Sequence, residues 1–242
     1  MRPDASIIIP ALDEALILAS QLQLLQPLRR QDYRGQGCRG QGCALNVEII
    51  VVDGGSQDAT VAISEPLVDQ VVVSTRGRAL QMNAGAACSS GEYLVFLHAD
   101  TTLPRDVCDR IASWSSGRSR IWGFFPIRLS GRAPIFRLIE TMMNWRSRLT
   151  GIGTGDQCLF VHRELFGAIG GFADIPLMED IEICKRLKRI SKPYCENIPV
   201  ETSSRKWERE GVFKTMTMMW RLRLAYFFGV APEKLVHKYY RP

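Results

Sequence analysis

Residues 47–56 read VEIIVVDGGS, a nearly continuous apolar run that ends in one acidic residue and two glycines. Two other segments have the same form, since residues 6–14 read SIIIPALDE and residues 93–100 read YLVFLHAD. Such runs are typical of strands buried on both faces of a parallel sheet. Helical spacing appears between them, so the sequence predicts an α/β fold with a mostly parallel, doubly wound central sheet and flanking helices.

Acidic residues follow two of these predicted strands directly. Asp53 and Asp100 stand at the strand ends, and ligands of doubly wound folds bind at the C-terminal edge of the sheet. A carboxylate there can hold Mg²⁺ or Mn²⁺ through oxygen while the phosphates of a nucleotide complete the coordination. Asp100 fits this role, and the alternative is a turn residue or a helix cap.

Beyond residue 120 the pattern predicts further elements. Strands are expected at 122–127 and 157–161, and helices at 135–149 and 179–190. A long basic amphipathic helix is expected at 212–228.

Positive charge is concentrated at the C-terminal end of the chain. Residues 185–242 hold 14 Lys and Arg against 5 Asp and Glu, whereas residues 1–184 hold 17 against 20. A basic segment can face an anionic substrate, anionic lipid or nucleic acid, or can be a solvated helix face. No RNA- or DNA-binding motif accompanies it, so we expect no nucleic-acid partner. Peripheral membrane contact through the C-terminal helix is the alternative to its packing on the main domain.

Targeting and cysteine patterns predict a cytoplasmic protein, with the inner face of the membrane as the alternative location. There is no run of about 18 apolar residues and no signal-peptide pattern at the N-terminus. The seven cysteines do not form a secreted disulfide framework. Two of them lie in the tandem repeat RGQGCRGQGC at 34–43, which is expected to be a mobile loop rather than a metal site because no further ligands are spaced suitably nearby.

Taken together, the segments 7–14, 51–60 and 91–100 resemble the nucleotide-binding half of the family-2 glycosyltransferases, which have the GT-A fold. The sequence GGF at 170–172, followed by EDIE at 179–182, resembles the acceptor side of that family. The resemblance implies a metal-dependent, hexosyltransferase-like enzyme that uses Mn²⁺ or Mg²⁺. It would move a sugar from a nucleotide-diphosphate donor, expected to be a UDP-sugar, onto an acceptor that the sequence does not identify.

A narrower resemblance rests on the end of the chain. Residues 203–208 read SSRKWE, and with the basic C-terminal helix they resemble a small bacterial subgroup described as arsenosugar-biosynthesis or radical-SAM/selenodomain-associated glycosyltransferases. We expect one GT-A-like domain over residues 1–242, because no linker interrupts it. Its nucleotide-sugar-binding half would be 1–115, its acceptor half 116–200, and its C-terminal lid and helix 201–242.

The family resemblance assigns the donor site residue by residue. It places Pro10, Ala11 and Glu14 around the nucleoside and gives Asp53 hydrogen bonds to the base or ribose. Gly54 departs from the pattern, since the family usually has a second acid there. Further residues are implied at the phosphates and the metal: Arg78, Asn83, His98, Ala99 and Asp100.

Arg78 and the metal motif keep alternatives open. Arg78 would offset diphosphate charge, although Arg76 could serve equally and either could be a surface arginine. The metal motif reads His-Ala-Asp where the family has Asp-x-Asp, so Asp100 keeps the metal role. His98 would add a nitrogen ligand or hydrogen-bond the ribose or phosphate.

The acceptor side carries the implied general base. Asp180 has that role with Glu179 next in line, which implies inversion at the anomeric carbon, and the alternative is a helix cap. Asp156 and Gln157 are expected to bind acceptor or sugar hydroxyls. Trp207 is expected to cover the sugar ring in a lid with its two basic neighbours.

Two other functions fit parts of the sequence. A nucleotidyltransferase shares the architecture, but its glycine-rich loop should follow the first strand, where this chain reads PALDE. A non-catalytic nucleic-acid- or membrane-binding protein on the same fold would use the basic C-terminal segment.

Overall fold

The computed structural model describes residues 2–29, 45–104, 106–116 and 120–239. The repeat at 34–43 and its two cysteines lie outside the described residues. The other five cysteines are free. The strands are β1 (Ala5–Ala11), β2 (Val47–Asp53), β3 (Gln70–Val73), β4 (Tyr93–Phe96), β5 (Thr101–Thr102), β6 (Trp122–Phe124), β7 (Ile127–Leu129), β8 (Leu159–His162), β9 (Tyr194–Cys195) and β10 (Val200–Thr202). The α-helices are α1 (Ala15–Arg29), α2 (Thr60–Ser64), α3 (Arg78–Cys88), α4 (Val107–Ser116), α5 (Pro134–Thr150), α6 (Arg163–Ala168), α7 (Glu179–Leu187), α8 (Arg205–Glu210), α9 (Val212–Phe227) and α10 (Pro232–Tyr239).

Seven strands form the central sheet in the order β3-β2-β1-β4-β8-β6-β9. The pairs from β3 through β4 are parallel, β8 is antiparallel to both of its neighbours, and β6 pairs parallel with β9. The predicted α/β fold with a mostly parallel central sheet is therefore confirmed. A smaller sheet of three strands, β5-β10-β7, lies beside it.

Helices cover both faces of the central sheet because successive strand side chains point to opposite faces. Ile7 and Ile9 of β1 belong to a core cluster that includes residues of α1, α4 and α5. Ile8 belongs to a second cluster, with residues of α3, α6 and α7. This alternation explains why the strand sequence is apolar at every position rather than at every second one.

The C-terminal helices are held by fewer buried residues. A third and smaller core cluster joins α7, α9 and α10 through Ile181, Leu222 and Leu235. Thr215 and Leu222 are the buried residues of α9, Leu235 is that of α10, and α8 has none. We call α8, α9 and α10 the cover.

Most predicted helices and strands are present, but some of their bounds differ from the prediction. The predicted strand at 122–127 is two strands, since the chain passes Pro126 between β6 in the large sheet and β7 in the small one. The helix predicted at 179–190 ends at Leu187, and α10 was not predicted. Within the described residues, no helix is long and apolar enough to cross a membrane.

Candidate active site

The loops after β1, β2 and β4 meet at one edge of the central sheet. The register pairs Ala11 with Asp53, the last residues of β1 and β2, and pairs Ile8 with Phe96 at the end of β4. Parallel strands therefore bring the predicted acidic segments to the same place. We call these three loops the floor.

Hydrogen bonds between the first two floor loops fix their shape. Asp13 has a left-handed backbone with φ of 54°, and its side chain accepts from the amide of Gln57 at 2.8 Å. In return, the Ser56 hydroxyl accepts from the amide of Asp13 at 2.9 Å, and the Thr60 hydroxyl accepts from the amide of Glu14 at 2.9 Å. The motif at 51–60 thus locks the segment that carries Glu14.

Asp53 is used inside its own turn. Its carboxylate accepts hydrogen bonds from the amides of Gly55 at 2.9 Å and Ser56 at 3.0 Å, and from the Ser56 hydroxyl at 2.5 Å. The side chain is buried. It does not line the cleft described below, and its contacts are those of a turn residue rather than of a nucleoside ligand.

Gln81 explains the missing acid at position 54. The Gln81 amide donates to the carbonyl oxygens of Ala11 at 2.9 Å and Val52 at 2.8 Å, and so joins the ends of β1 and β2. A Cβ added to Gly54 would lie 3.0 Å from the side chain of Gln81. An acidic residue at 54 would therefore have to displace this buried amide.

A cleft with a volume of about 730 Å³ lies between the floor and the cover. Floor residues on one side face residues of the cover, Lys206 and Tyr239 among them. Nine of the residues predicted for the site line this cleft: Pro10, Ala11, Glu14, Arg78, His98, Ala99, Asp100, Asp156 and Trp207.

Three acids determine the electrostatics of the cleft: Glu14 and Asp100 of the floor, and Asp156 of the 3₁₀ turn before β8. Burial and the nearby charge of Asp100 raise the pKa of Glu14, and burial and the charge of Asp156 raise the pKa of Asp100. His98 Nδ1 lies 3.4 Å from Asp156 Oδ1. Partial burial raises the pKa of Asp156, but the His98 hydrogen bond and the charge of Arg78 outweigh it and leave the pKa lowered. This side of the cleft is therefore a concentration of acids that favours a bound cation.

The residues present fit a metal ion that is held partly by the protein and partly by the phosphates of a bound nucleotide. Asp100 supplies a half-buried carboxylate with a raised pKa, and His98 stands two residues before it. In the described ranges, no three His, Cys, Asp or Glu side chains are grouped closely enough to hold a metal by themselves. A donor set with one carboxylate needs phosphate oxygens to complete it, which is the usual arrangement for Mg²⁺ at nucleotide sites.

The predicted base lies at the start of α7. Met178 precedes this helix with φ of 69°, an unusual conformation for a non-glycine residue. The Asp180 carboxylate accepts from the amides of Gly155 at 2.9 Å and Ile181 at 2.7 Å. Asp180 and Glu179 line a small cavity of about 20 Å³ together with His98.

Glu179 is a buried acid beside a cation. Burial raises its pKa, while the charge of Arg78, whose Nη1 lies 3.5 Å from Glu179 Oε1, acts in the opposite direction. Arg78 thus stands between this acid and the cleft. The pairing gives Glu179 a role in holding Arg78, whereas Asp180 has no ion pair among the described residues within 4.0 Å.

Two predicted ligand residues have structural partners instead. Asn83 was assigned to the donor phosphates, but its amide donates to the carbonyl of Phe172 at 2.8 Å and accepts from the same residue's amide at 2.9 Å. Gly171 is required beside it, since a Cβ there would lie 2.7 Å from Asn83 Oδ1. The Gly-Gly-Phe motif therefore serves as the partner of Asn83.

Gln157 was expected to bind acceptor or sugar hydroxyls, and its position is wrong for that role. The side chain is fully buried, and its Oε1 accepts from the Ser147 hydroxyl at 2.6 Å and the Thr154 amide at 3.1 Å. Its Nε2 donates to the carbonyl of Phe125 at 3.3 Å. These bonds hold the 3₁₀ turn at 155–157, and the buried side chain does not line the cleft.

Several site residues were missed from the sequence. Tyr239 of α10 lines the cleft, and Arg146 of α5 and Arg223 of α9 face Asp180. Burial and the charge of Arg223 lower the pKa of Arg146 to about 10, although Asp180 acts in the opposite direction. No local pattern signals these residues, because only the tertiary fold brings α5 and α9 to α7.

Comparison with known proteins identifies the class. Residues 6–166 match the family model described as Glycosyl transferase family 2. An uncharacterized glycosyltransferase of Mycobacterium tuberculosis (strain ATCC 25618 / H37Rv) is 30% identical over 241 residues, covering 88% of this chain and 82% of that protein. The chain belongs to glycosyl transferase family 2 and is accordingly a glycosyltransferase.

Solved structures share the fold at low sequence identity. S. aureus TarS 1–349 in complex with UDP has a TM-score of 0.64 at 15% identity, over 84% of this chain and 60% of that one. The mannosyltransferase PcManGT from Pyrobaculum calidifontis, in complex with GDP-Man and Mn²⁺, has a TM-score of 0.59 at 21% identity, over 98% and 69% of the two chains. The chain thus spans about three fifths of the TarS structure, and these likenesses show the GT-A fold.

Proposed function

We propose that this enzyme transfers a sugar from a UDP-sugar to an acceptor hydroxyl with inversion, using Mn²⁺ or Mg²⁺. The observation that carries the proposal is the cleft, in which acids at the ends of parallel strands face the cations Arg78 and Lys206. A nucleotide-sugar diphosphate with its metal has the charge pattern that complements both sides. The UDP and Mn²⁺ in the TarS and PcManGT structures are consistent with this choice.

The donor is proposed to lie along the floor. Pro10, Ala11 and Glu14 would contact the nucleoside, because they line the cleft at the end of β1. Asp100 would hold the metal, with His98 as its neighbour. The metal, when bound, supplies positive charge to the departing diphosphate.

The transfer step uses Asp180 as the general base. The acceptor oxygen forms a bond to the anomeric carbon while the bond from that carbon to the diphosphate oxygen breaks, and the acceptor proton passes to the Asp180 carboxylate. The nucleoside diphosphate leaves with the bonding electron pair, and Arg78 and Lys206 lie where they offset its charge. Arg146 of α5 and Arg223 of α9 lie close enough to Asp180 for its charge to act on both guanidinium groups.

Calorimetric titration with UDP, with and without Mn²⁺, tests the donor site. We expect Mn²⁺ to tighten UDP binding to the parent chain, and Asp100→Asn to bind UDP with the same affinity whether or not Mn²⁺ is present. The matched control is Asp106→Asn, an exposed acid outside the cleft, which should keep the Mn²⁺ effect. An unchanged Mn²⁺ effect in Asp100→Asn would reject the metal assignment, and no UDP binding by the parent would reject the donor.

Peripheral membrane contact is a second proposal about this enzyme, supported by its exposed apolar side chains. Two helices each carry such a stripe at helical spacing, flanked on α9 by the exposed Arg221. Basic residues beside an apolar stripe complement an anionic lipid surface. The stripes are Leu138, Met142, Trp145 and Leu149 on α5, and Phe213, Trp220, Leu224 and Phe227 on α9.

Sedimentation with vesicles of phosphatidylglycerol tests this contact. Trp220→Ser combined with Phe227→Ser should reduce the bound fraction, and vesicles of phosphatidylcholine serve as the neutral control. A parent chain that stays in the supernatant with both lipids would end the membrane proposal. The narrower subgroup resemblance, which rests on residues 203–208 and the basic helix, is a further proposal, and identification of the acceptor tests it.

A further inference from the structure

A second and larger cavity opens beside the cleft. Its volume is about 1240 Å³, and it lies between the start of α3 and the three helices of the cover. Arg78, Lys206 and Tyr239 line both spaces. A small-molecule site commonly has a volume of about 300–1,000 Å³, so a second substrate fits beside a donor in the cleft.

This space, which we call the basic cavity, is lined by six cationic side chains and one acid, Glu210. Two of the cations also line the cleft, whereas the other four belong to the basic cavity alone and are not needed to bind a donor diphosphate. These four cations are Arg209, Lys214, Arg221 and Lys238.

Most of this charge is not neutralised by the protein. Arg209 forms an ion pair with Glu210 at 3.1 Å, so the one acid of the cavity neutralises one of its six cations. Across the described part of the chain, no carboxylate forms an ion pair with Lys214, Arg221 or Lys238. Like charges around one space repel each other and raise the affinity for an anion that enters it.

Part of the lining of the basic cavity is apolar. Met218, Leu222, Ala225 and Leu235 line it beside the cations. Such a surface packs against the uncharged part of a ligand while basic groups bind its anionic end. The floor of the cleft has the opposite character, since it presents acids.

We propose that the basic cavity binds the acceptor, and that the acceptor carries a phosphate monoester or a comparably charged anionic group. This inference rests on the proposed transferase function and adds the chemical class of the second substrate. Because Arg78 and Lys206 line both spaces, an acceptor in the basic cavity would meet the donor across these two side chains. The phosphate belongs either to a soluble metabolite or to a lipid headgroup.

The test uses the full chain saturated with UDP and Mg²⁺, so that the cleft is occupied. Glycerol phosphate is the soluble probe with glycerol as its neutral counterpart, and vesicles with phosphatidic acid are the lipid probe with phosphatidylcholine vesicles as theirs. We expect the parent to bind at least one phosphate probe, and the affinity to fall with rising salt.

The decisive variant removes two cations that line the basic cavity alone, Lys214→Ala with Arg221→Ala. Each lost charge-assisted contact should weaken probe binding about 10-fold, so the pair should weaken it about 100-fold, with UDP affinity unchanged. The exchange Lys214→Arg with Arg221→Lys should restore most of the binding. Arg189→Ala with Lys192→Ala removes the same charge from exposed positions outside the cavity and should leave probe binding unchanged.

The outcomes separate this inference from the function on which it rests. If UDP does not bind the parent, the transferase proposal fails first. If UDP binds but neither phosphate probe does, or if both double alanine variants lose the same affinity, the acceptor inference is wrong. Displacement of UDP by the probe would also overturn it, because the probe would then occupy the cleft. Binding to phosphatidic acid vesicles without binding to glycerol phosphate identifies a lipid-linked acceptor.

Discussion

The floor and the cover face each other across one cleft but are built in opposite ways. The floor consists of loops at the ends of buried strands, and side-chain bonds from Asp13, Ser56 and Thr60 tie its parts together. The cover consists of helices with at most two buried residues each. The floor carries acids on rigid loops, whereas the cover carries most of the Lys and Arg side chains that line the cleft or the basic cavity and have no ion pair among the described residues.

This difference suggests a division of labour. Proton transfer and metal binding require groups held in fixed geometry, which the sheet edge provides. Neutralising phosphate charge tolerates movement of long basic side chains, and elements with few buried contacts open most easily. Three experiments, ordered by the size of the expected effect, test whether the two sides are separable.

The largest effect is expected from Asp180→Asn at the start of α7, where Asp180 shares a small cavity with His98 of the floor. The substitution keeps the shape and one of the two amide hydrogen bonds but removes the group that takes the proton, so turnover should fall about 10²–10⁴-fold. Donor affinity should persist, since Asp180 does not line the cleft. The rate of donor hydrolysis, compared at equal folded concentration, measures the effect.

The control for this variant is Asp174→Asn, an exposed acid in the loop before α7. If Asp180→Asn instead turns over like the parent and melts several degrees lower, its bond to the Gly155 amide is its main role. Glu179 and Asp156 would then be tested as the base.

A smaller effect is expected from Leu222→Ala in the cover. Removing this buried side chain should cost about 2 kcal/mol, and because the cover opens locally, amide exchange in α9 and α10 should rise about 30-fold. Exchange in β1 and β2 should not change. Leu224→Ala, at an exposed position of the same helix, is the control. A uniform rise across the chain would show that floor and cover unfold as one unit.

The smallest effect is expected from Gln157→Ala behind the floor. It leaves the Ser147 hydroxyl and the Thr154 amide without their acceptor, which should lower the free energy of unfolding by about 1–2 kcal/mol in urea titrations. Gln57→Ala, at an exposed position, should change it by less than about 0.5 kcal/mol. Normal stability with impaired transfer would restore the acceptor-binding role predicted from the sequence.

The sequence predicts the floor better than the cover, for a physical reason. β1, β2 and β4 are apolar at almost every position because both faces are buried, and parallel pairing then fixes where Asp53 and Asp100 lie. The roles of Asn83 and Gln157 could not be predicted in this way. An amide side chain bonds a backbone group or a ligand equally well, and only the tertiary partner decides.

The cover lacks a comparable signal. Its helices have few buried residues, so periodicity predicts α9 but not α10. The basic composition of residues 185–242 indicates an anionic partner of some kind. The cavity that collects those charges exists only once α8, α9 and α10 are folded around α3.

Arg78 and Lys206 line both the cleft and the basic cavity, and this sharing has a thermodynamic consequence. Two anions that draw on the same cations weaken each other's binding, and by linkage the penalty is equal in both directions. On the proposed function, the nucleoside diphosphate and the glycosylated acceptor would compete for the two side chains after transfer, so each product would promote the release of the other.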